Sequence, residues 1–290
     1  MLLRARNRLT GKVVVVTGSA SGIGAETARH AAQQGADLVL ADINEEGLNR
    51  RLADLAPVSS RAVAVQTDVR LLGSWRNLLK GSVQAFRKVD VLVNCAGVTL
   101  PGPADELSEE EVRRQVEVNL LGTVYGTQVF LAHFRRQGSG HLIHVASLGG
   151  IVPMPGEAVY CATKFAVRGF CLALALELRG TPIKVSVVCP DSVETPQLRQ
   201  EALQGGSSLS FVGALLQPSD VARAIVRTML RPKREVLVPR TGGFLSKVMS
   251  FSPEVMALLY PVLNRIGGRR REDYASRLGA ERSDSPANKE

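Results

Sequence analysis

Lys12-Val13-Val14-Val15-Val16-Thr17-Gly18-Ser19-Ala20-Ser21-Gly22-Ile23-Gly24 leads straight into a helical pattern from Ala25 to Gln34. An apolar β-branched run, a glycine-rich turn and a helix in that order read as strand, tight turn and helix. Four consecutive valines leave no polar face, which marks a strand covered on both sides by helices in a parallel sheet. Glycine permits the tight turn and lets backbone N–H groups approach a pyrophosphate at the positive end of the helix dipole. Gly18, Ser21, Gly22, Ile23 and Gly24 are the candidate residues for that task. Their spacing is G-x-x-x-G-x-G, distinct from the common G-x-G-x-x-G fingerprint of dinucleotide sites.

Beyond this unit, short β-branched runs alternate with longer helical patterns. Strands are expected at Lys12 to Thr17, Asp37 to Ala41, Ala62 to Gln66, Val89 to Val93, His141 to Val145, Ile183 to Cys189 and Glu235 to Val238. Helices are expected at Ala25 to Gln34, Glu45 to Leu55, Leu71 to Phe86, Glu109 to Arg136, Ala158 to Leu178 and Ser219 to Leu230. The alternation predicts a doubly wound α/β (Rossmann) fold, a seven-stranded parallel sheet with helices on both faces. One such domain over 11–240 suits the length. Residues 1–10 form a basic N-terminal segment, 241–282 an apolar and basic C-terminal extension, and 283–290 a polar tail expected to be disordered. The connection 190–217 is long for this architecture, and long loops at the carboxyl ends of such strands shape ligand sites.

Asp42 ends the second strand, where a carboxylate can accept hydrogen bonds from the adenosine ribose hydroxyls and repel a 2′-phosphate. No Lys or Arg stands within the glycine turn or directly after Asp42. Both features favour NAD over NADP as cofactor. The plainer role for Asp42, an acid near the start of the helix at Glu45, stays open.

Composition bounds the function. With 45% hydrophobic and 22% charged residues the chain is globular rather than disordered. A net charge of +9 attracts anions or anionic lipid head groups, and much of it is terminal, in Arg4, Arg6 and Arg8 and in Arg265, Arg269, Arg270 and Arg271. Such runs also occur simply as solvated segments. Basic residues are not interleaved with aromatic ones, so nucleic acid is not an expected partner. Cys95, Cys161, Cys171 and Cys189 lack metal-ligand spacing and read as buried free thiols of a reducing compartment, with no metal site expected. Met1 to Thr10 holds no signal-peptide apolar region, and no uninterrupted run approaches the roughly 20 apolar residues of a spanning helix. A cytoplasmic protein is expected, with peripheral membrane contact through the tail left open.

From about Lys12 to Val238 the chain resembles the short-chain dehydrogenase/reductase family through an ordered set of residues. The set comprises the Thr17 to Gly24 turn, Asp68 after the third strand, Asn94-Cys95-Ala96-Gly97 after the fourth, and Asn119 in a long helix. Ser147 after the fifth strand, Tyr160 with Lys164, and Pro190 to Thr195 complete it. The resemblance implies an NAD(H)-dependent oxidoreductase that interconverts a secondary alcohol and a ketone and assembles as a homodimer or homotetramer. It also implies that Asp68 and Val69 contact the adenine, that Asn94, Ala96 and Gly97 pass the cofactor ribose, and that Val193 and Thr195 meet the cofactor beyond Pro190. Tyr160 and Lys164 would share in binding it, and Asn119 would hold a water linking Lys164 to bulk solvent. Two positions depart from the family pattern. Cys95 stands for the usual second Asn, and Asp191 stands for the usual Gly after Pro190, where a positive φ would strain an Asp.

Chemistry accounts for the catalytic residue types. A phenol of pKa about 10 is a poor base near neutrality, and a neighbouring ammonium favours the phenolate. Tyr160 and Lys164 are four apart and share a helix face. At about 4 Å and an effective dielectric near 20 such a pair interacts by roughly 4 kcal/mol, enough to lower a pKa substantially. Ser147 can donate a hydrogen bond to the substrate oxygen. In oxidation Tyr160 would take the hydroxyl proton while a hydride leaves the same carbon for the nicotinamide, and reduction reverses the order. Taken singly, each residue has a plainer role: Tyr160 and Lys164 as a solvated helix pair, Ser147 as a cap, Asn119 as a polar residue bonded to a strand end.

The tail segment Phe251 to Leu263 is apolar on most faces of any helix it forms, so its own domain, a partner subunit or a membrane interface must cover it. One expectation is that it caps an apolar pocket lined by Leu148, Ile151, Val152, Met154 and Phe211, implying a lipid-, steroid- or terpenoid-like substrate. A non-catalytic dinucleotide redox sensor and an NADP-dependent ketoacyl-type reductase are the alternatives. Sensors of this kind typically lose the Tyr or the Lys, and both are present here.

Overall fold

β1 (Val13–Thr17) lies mid-sheet, and its valines alternate between two cores: Val13 and Val15 join one, Val14 and Val16 the other. Successive side chains of a strand point to opposite faces, so an unbroken apolar run needs cover on both. In this computed structural model, which describes residues 8–58 and 61–283, the further strands are β2 (Asp37–Asp42), β3 (Ala62–Gln66), β4 (Val91–Asn94), β5 (Gly140–Val145), β6 (Ile183–Pro190) and β7 (Glu235–Val238). All pair in parallel in the order β3-β2-β1-β4-β5-β6-β7, the doubly wound sheet expected from the sequence.

The helices in chain order are α1 (Gly22–Gln33), α2 (Glu45–Leu55), α3 (Leu72–Phe86), α4 (Glu109–Gln115), α5 (Gly122–Gln137), α6 (Ala158–Glu177), α7 (Pro196–Leu203), α8 (Pro218–Leu230), α9 (Arg240–Met249) and α10 (Pro253–Ser283). Trp75 of α3, Phe130 and Phe134 of α5, and Val167, Cys171 and Leu174 of α6 close the core of Val13 and Val15. Ala28 and Ala31 of α1, Leu48 and Leu55 of α2, and Val221 and Ile225 of α8 close the other. Among the described residues α6 alone is long and apolar enough to cross a membrane, and it buries Val167, Cys171 and Leu174 in the core. The chain leaves β1 toward one face and β4 toward the other, so a crevice opens over their carboxyl ends. There Thr17 Oγ1 donates to Asn94 Oδ1 at 2.6 Å and accepts from the Ala96 N–H at 3.3 Å.

Three segments depart from the expected elements. The helix expected over Glu109 to Arg136 is α4, a π-helical turn over Val116–Leu121, and α5. The connection 190–217 holds α7 and a 3-10 turn over Ser208–Phe211. Thr195 caps α7 by accepting from the Leu198 N–H at 3.3 Å, and Pro196 takes its first position. The C-terminal extension becomes α9 and α10, and α10 braces that connection from outside. A Cβ on Gly267 would overlap the Ser208 carbonyl, the Tyr274 ring lies 5.6 Å from that of Phe211, and Arg271 Nη1 donates to the Gly206 carbonyl at 2.6 Å. The outer side of the tail is uncovered: Phe251 is 87% and Leu258 78% exposed, and over 251–266 only Met256 is buried. Packing on its own domain therefore accounts for little of this apolar stretch. Arg4 and Arg6 of the basic segment and the polar tail after Ser283 lie outside the described residues, while Ser283 itself ends α10.

Candidate active site

Above the carboxyl ends of β1, β4 and β5 lies a cavity of about 630 Å³, within the range of small-molecule and cofactor sites. The glycine turn forms one end. Gly18 (φ +67°) and Gly22 (φ +54°) hold left-handed conformations that L side chains rarely adopt. A Cβ on Gly18 would come 2.9 Å from the Ala96 nitrogen, and one on Gly24 would overlap the Gly18 carbonyl. The turn thus packs flat against the segment after β4. α1 starts beside the cavity with no acidic residue in its first turn and no side-chain cap from Ser21, and Ser21, Gly22, Ile23 and Gly24 line the space. Unsatisfied N–H groups at a helix start suit an anion, so these residues fit the pyrophosphate of a dinucleotide.

Asp42 and Asp68 line the same end. Asp42 is held by backbone: Oδ2 accepts from the Ala20 N–H and Oδ1 from the Asn44 N–H, both at 3.0 Å. Asn44, not Asp42, caps α2 by taking the Gly47 N–H at 2.9 Å. Arg70 clasps Asp68, with Nη2 2.7 Å from Oδ2, and this hydrogen-bonded cation holds the carboxyl below its ordinary value. Val69 also lines the cavity, and its carbonyl accepts from Trp75 Nε1 at 2.9 Å. Arg70 and Arg114 are two cations on this wall that sequence reasoning did not single out.

Asn94 and Asn119, expected at the site, do not reach the cavity wall. Asn94 spends its side chain on Thr17 and, through Nδ2, on Thr123 Oγ1 at 3.2 Å. Asn119, buried in the π-helical turn, clamps the backbone of Val98: Oδ1 accepts from its N–H at 2.8 Å and Nδ2 donates to its carbonyl at 2.9 Å. Nδ2 also donates to Thr163 Oγ1 at 3.1 Å. Both side chains position 95–99, all of which line the cavity. A Cβ on Gly97 would lie 3.3 Å from both Asn119 Oδ1 and Lys164 Nζ, so little but Gly97 separates those two groups.

Ser147, Tyr160 and Lys164 meet at mid-cavity. Ser147 Oγ accepts from the Gly149 N–H at 3.0 Å, and Ser147, Thr99 and Tyr160 all face the same cavity. Lys164 Nζ stands 5.6 Å from the centre of the Tyr160 ring and donates to the Val145 carbonyl at 3.2 Å. Burial brings Lys164 down to about 8. Tyr160 is not pulled down as a lysine-paired phenol was expected to be. Burial pushes it up, Glu201 and Glu157 push it further, and only Ser147 and Thr99 oppose them. In this state the phenol keeps its proton.

Val193 and Thr195 line the opposite wall beside Asp191. Among the described non-glycine residues only Arg87 has a positive φ, so the strain expected at Asp191 is absent. Its N–H donates to the Val238 carbonyl at 2.7 Å, its Oδ1 accepts from the Ser192 N–H at 2.9 Å, and burial raises its carboxyl. Burial pushes the Cys95 thiol up to about 12, which leaves it inert near neutrality.

Beyond Tyr160 the wall is made of Leu148, Met154 and Leu198 together with Thr99, Glu157, Gln197, Glu201 and Ser210. Of the apolar lining expected from sequence, Leu148 and Met154 stand there. Ile151 belongs to the core, Phe211 packs on Tyr274, and Val152 is not part of the wall. The two acids are what sequence reasoning missed. Glu157 lies three before Tyr160, on the same helical turn, and that spacing was available as a signal. Gln197 and Glu201 become neighbours only once Thr195-Pro196 is read as a helix start.

The short chain dehydrogenase family model matches residues 12–204. The 2,5-dichloro-2,5-cyclohexadiene-1,4-diol dehydrogenase LinX of Sphingobium indicum is 35% identical over 219 residues, covering 74% of this chain and 88% of the relative. A short chain dehydrogenase/reductase from Burkholderia phymatum, solved in complex with NAD, matches with a TM-score of 0.77 at 26% identity, covering 86% of this chain and 96% of that one. Actinorhodin polyketide ketoreductase with NADPH matches with a TM-score of 0.73 at 32% identity, covering 78% and 94%. Matched along most of the domain that builds the cavity, the chain belongs to the short-chain dehydrogenase/reductase family of oxidoreductases, on an NAD(P)-binding Rossmann fold.

Proposed function

We propose that the protein transfers a hydride between NAD(H) and a secondary alcohol or ketone, with Tyr160 as general acid and base. The observation that carries this reading is that Ser147, Tyr160 and Lys164 line one cavity, with the Lys164 ammonium 5.6 Å from the centre of the Tyr160 ring. Gly18, Ser21, Gly22, Ile23 and Gly24 would hold the pyrophosphate, Asp42 the adenosine ribose, Asp68 and Val69 the adenine, and Val193 and Thr195 the far end. When bound, the cofactor supplies or accepts the hydride. Ser147 donates to the substrate oxygen and fixes it beside the phenol. Tyr160 gives its proton to that oxygen in reduction and removes it in oxidation. Lys164, with its ammonium brought down to about 8, can pass a proton on near neutrality.

Asp42 supports NAD over NADP, and Arg70 on the same wall is already committed to Asp68. Leu148, Met154 and Leu198 suit an apolar body, lipid-, steroid- or terpenoid-like. A relative named for a cyclic diol and a structural neighbour named as a ketoreductase support alcohol–ketone chemistry. The cytoplasm is proposed as the compartment on four free cysteines, three of them buried. Assembly as a homodimer or homotetramer follows from the family. Peripheral contact with an anionic lipid surface is proposed for α9 and α10, on exposed Phe244, Phe251 and Leu258 near Lys247, Arg265 and Arg269.

A panel of secondary alcohols and ketones, run with NAD(H) and NADP(H) and followed by nicotinamide absorbance, tests the central reading. Turnover of at least one pair is expected, faster with NAD(H). Tyr160→Phe is expected to lower kcat by about 100- to 10,000-fold while NADH still binds in a fluorescence titration. Cofactor binding with no turnover of any panel member would overturn the enzyme and leave a dinucleotide sensor. Faster turnover with NADP(H) would overturn the cofactor assignment.

A further inference from the structure

We propose that Glu157, Glu201 and Ser210 form a recognition site for a second hydroxyl group on the substrate, so that the enzyme selects diols and hydroxyketones over simple alcohols and ketones. The inference rests on the alcohol–ketone reading of the same cavity and adds to it a substrate class. Glu157 stands at the start of α6, one turn before Tyr160, and Glu201 comes from α7 across the cavity. They are 2% and 7% exposed, yet both line the cavity. Carboxyls in such a place are costly unless hydrogen-bonded or paired.

The protein answers only part of that demand. Glu157 Oε1 accepts from the Ser207 N–H at 2.9 Å, and Glu201 Oε1 accepts from Gln197 Nε2 at 2.9 Å. Gln197 Nε2 also donates to Thr99 Oγ1 at 2.7 Å, so one amide ties this acid to Thr99, which lines the cavity with Tyr160. Glu157 Oε2 has no partner among the described residues, and neither has the hydroxyl of Ser210, which is 6% exposed and lines the same cavity. No cation contributes to the state of either carboxyl, and the charge that bears on Glu157 is that of Glu201. Among the described residues no group of three His, Cys, Asp or Glu could hold a metal ion.

The open valences therefore belong to a ligand. An alkyl group satisfies neither acid nor hydroxyl, whereas a substrate hydroxyl can donate to a carboxyl oxygen of Glu157 and accept in turn from Ser210. Two acids pushed by burial toward their neutral forms suit an uncharged hydroxyl better than an ammonium. This polar wall lines the same cavity as Tyr160, with Glu157 one helical turn before it, so the recognised hydroxyl sits on a different carbon of the molecule whose oxygen meets the phenol.

Two readouts on the full chain test the proposal. The first is kcat/KM with NAD for cyclohexanediols against cyclohexanol. The second is the melting shift that each compound causes in the NADH-bound protein, which needs no turnover. A diol preference of about 100-fold or more is expected, since sites built to bond a hydroxyl reject the analogue lacking it. Glu157→Leu is expected to cut the diol-to-cyclohexanol ratio at least tenfold, Ser210→Ala to cut it severalfold, and Glu157→Gln, which keeps the acceptor for Ser207, to restore part of it. Should Glu157→Leu fail to fold, the wild type and Ser210→Ala carry the comparison. Diol-specific stabilisation without turnover would keep the hydroxyl site and overturn the alcohol–ketone reading instead. Equal turnover or equal stabilisation by diol and cyclohexanol in the wild type, or a preference for an amino alcohol over the diol, overturns the proposal.

Discussion

Glu157 bears a cost that a surface carboxylate does not. Burial, together with Glu201 nearby, pushes its carboxyl from 4.5 up to about 7, against one backbone hydrogen bond from Ser207. A group held above its ordinary value binds its proton more tightly folded than unfolded. Its contribution to stability is therefore complete below about pH 4.5 and disappears as the pH rises through about 7. The span corresponds to about 3 kcal/mol at most. Glu157→Gln keeps the acceptor for the Ser207 N–H and removes the titration. Urea melts are expected to show the variant gaining about 2–3 kcal/mol on the wild type between pH 5 and pH 8. A gap that stays constant with pH would mean that Glu157 is solvated in solution. Burial first, and then the same two acids, push the Tyr160 phenol upward rather than toward the phenolate that pairing with Lys164 was expected to favour.

At the scale of elements, α3 and α5 meet through a pair that links packing to the cofactor end. A Cβ on Gly126 of α5 would come 2.5 Å from the Trp75 ring of α3, and that ring stacks edge-on to Phe130 at 6.1 Å. Trp75 also anchors Val69 through its indole N–H. Gly126→Ala is expected to destabilise the fold by about 1–3 kcal/mol through overpacking and to weaken NADH binding through Val69. Trp75 is the single tryptophan of the chain, so its emission reports the displacement directly, and unchanged emission and melting would show that the ring has room. Nothing in the sequence marks this contact, because Gly126 and Trp75 are far apart in the chain. The inner strands were legible for the opposite reason: both faces of β1, β2, β4 and β5 are largely buried, so each reads as an apolar run that needs no partner to be recognised. The π-helical turn at Asn119 keeps the apolar spacing of a helix and so passed as one. α7 was announced by Thr195-Pro196 but stands in a segment read as a loop, and with it went Glu201. The glycine turn, Ser147, Tyr160 and Lys164 were visible because their chemistry is local and ordered. The far wall of the cavity was not, because α6, α7 and the 3-10 turn assemble it from three separate stretches.

For the molecule as a whole, the uncovered tail sets the question of what it meets. Phe244, Leu245 and Val248 of α9 and Val255, Leu258, Leu259, Val262 and Ile266 of α10 are all exposed, with Phe251 between the helices. Monomeric soluble proteins rarely leave so large an apolar area open. Lys247, Arg265, Arg269 and Arg270 accompany it in a chain of net charge +9, which is the composition that an anionic lipid surface attracts. The inner side of α10 meanwhile grips Ser208, Phe211 and Gly206, next to Ser210 of the cavity wall. A surface that received the tail would thereby lie close to the cavity and could deliver an apolar substrate. The full chain is expected to sediment with vesicles of phosphatidylserine and phosphatidylcholine, less with phosphatidylcholine alone, and less at high salt. Because each large apolar side chain contributes about 1.5–3 kcal/mol when fully buried, Phe251→Ser with Leu258→Ser is expected to weaken vesicle binding about tenfold or more. Absence of vesicle binding, together with a dimer that the same double substitution dissolves, would assign this face to a second copy of the chain and overturn the lipid contact.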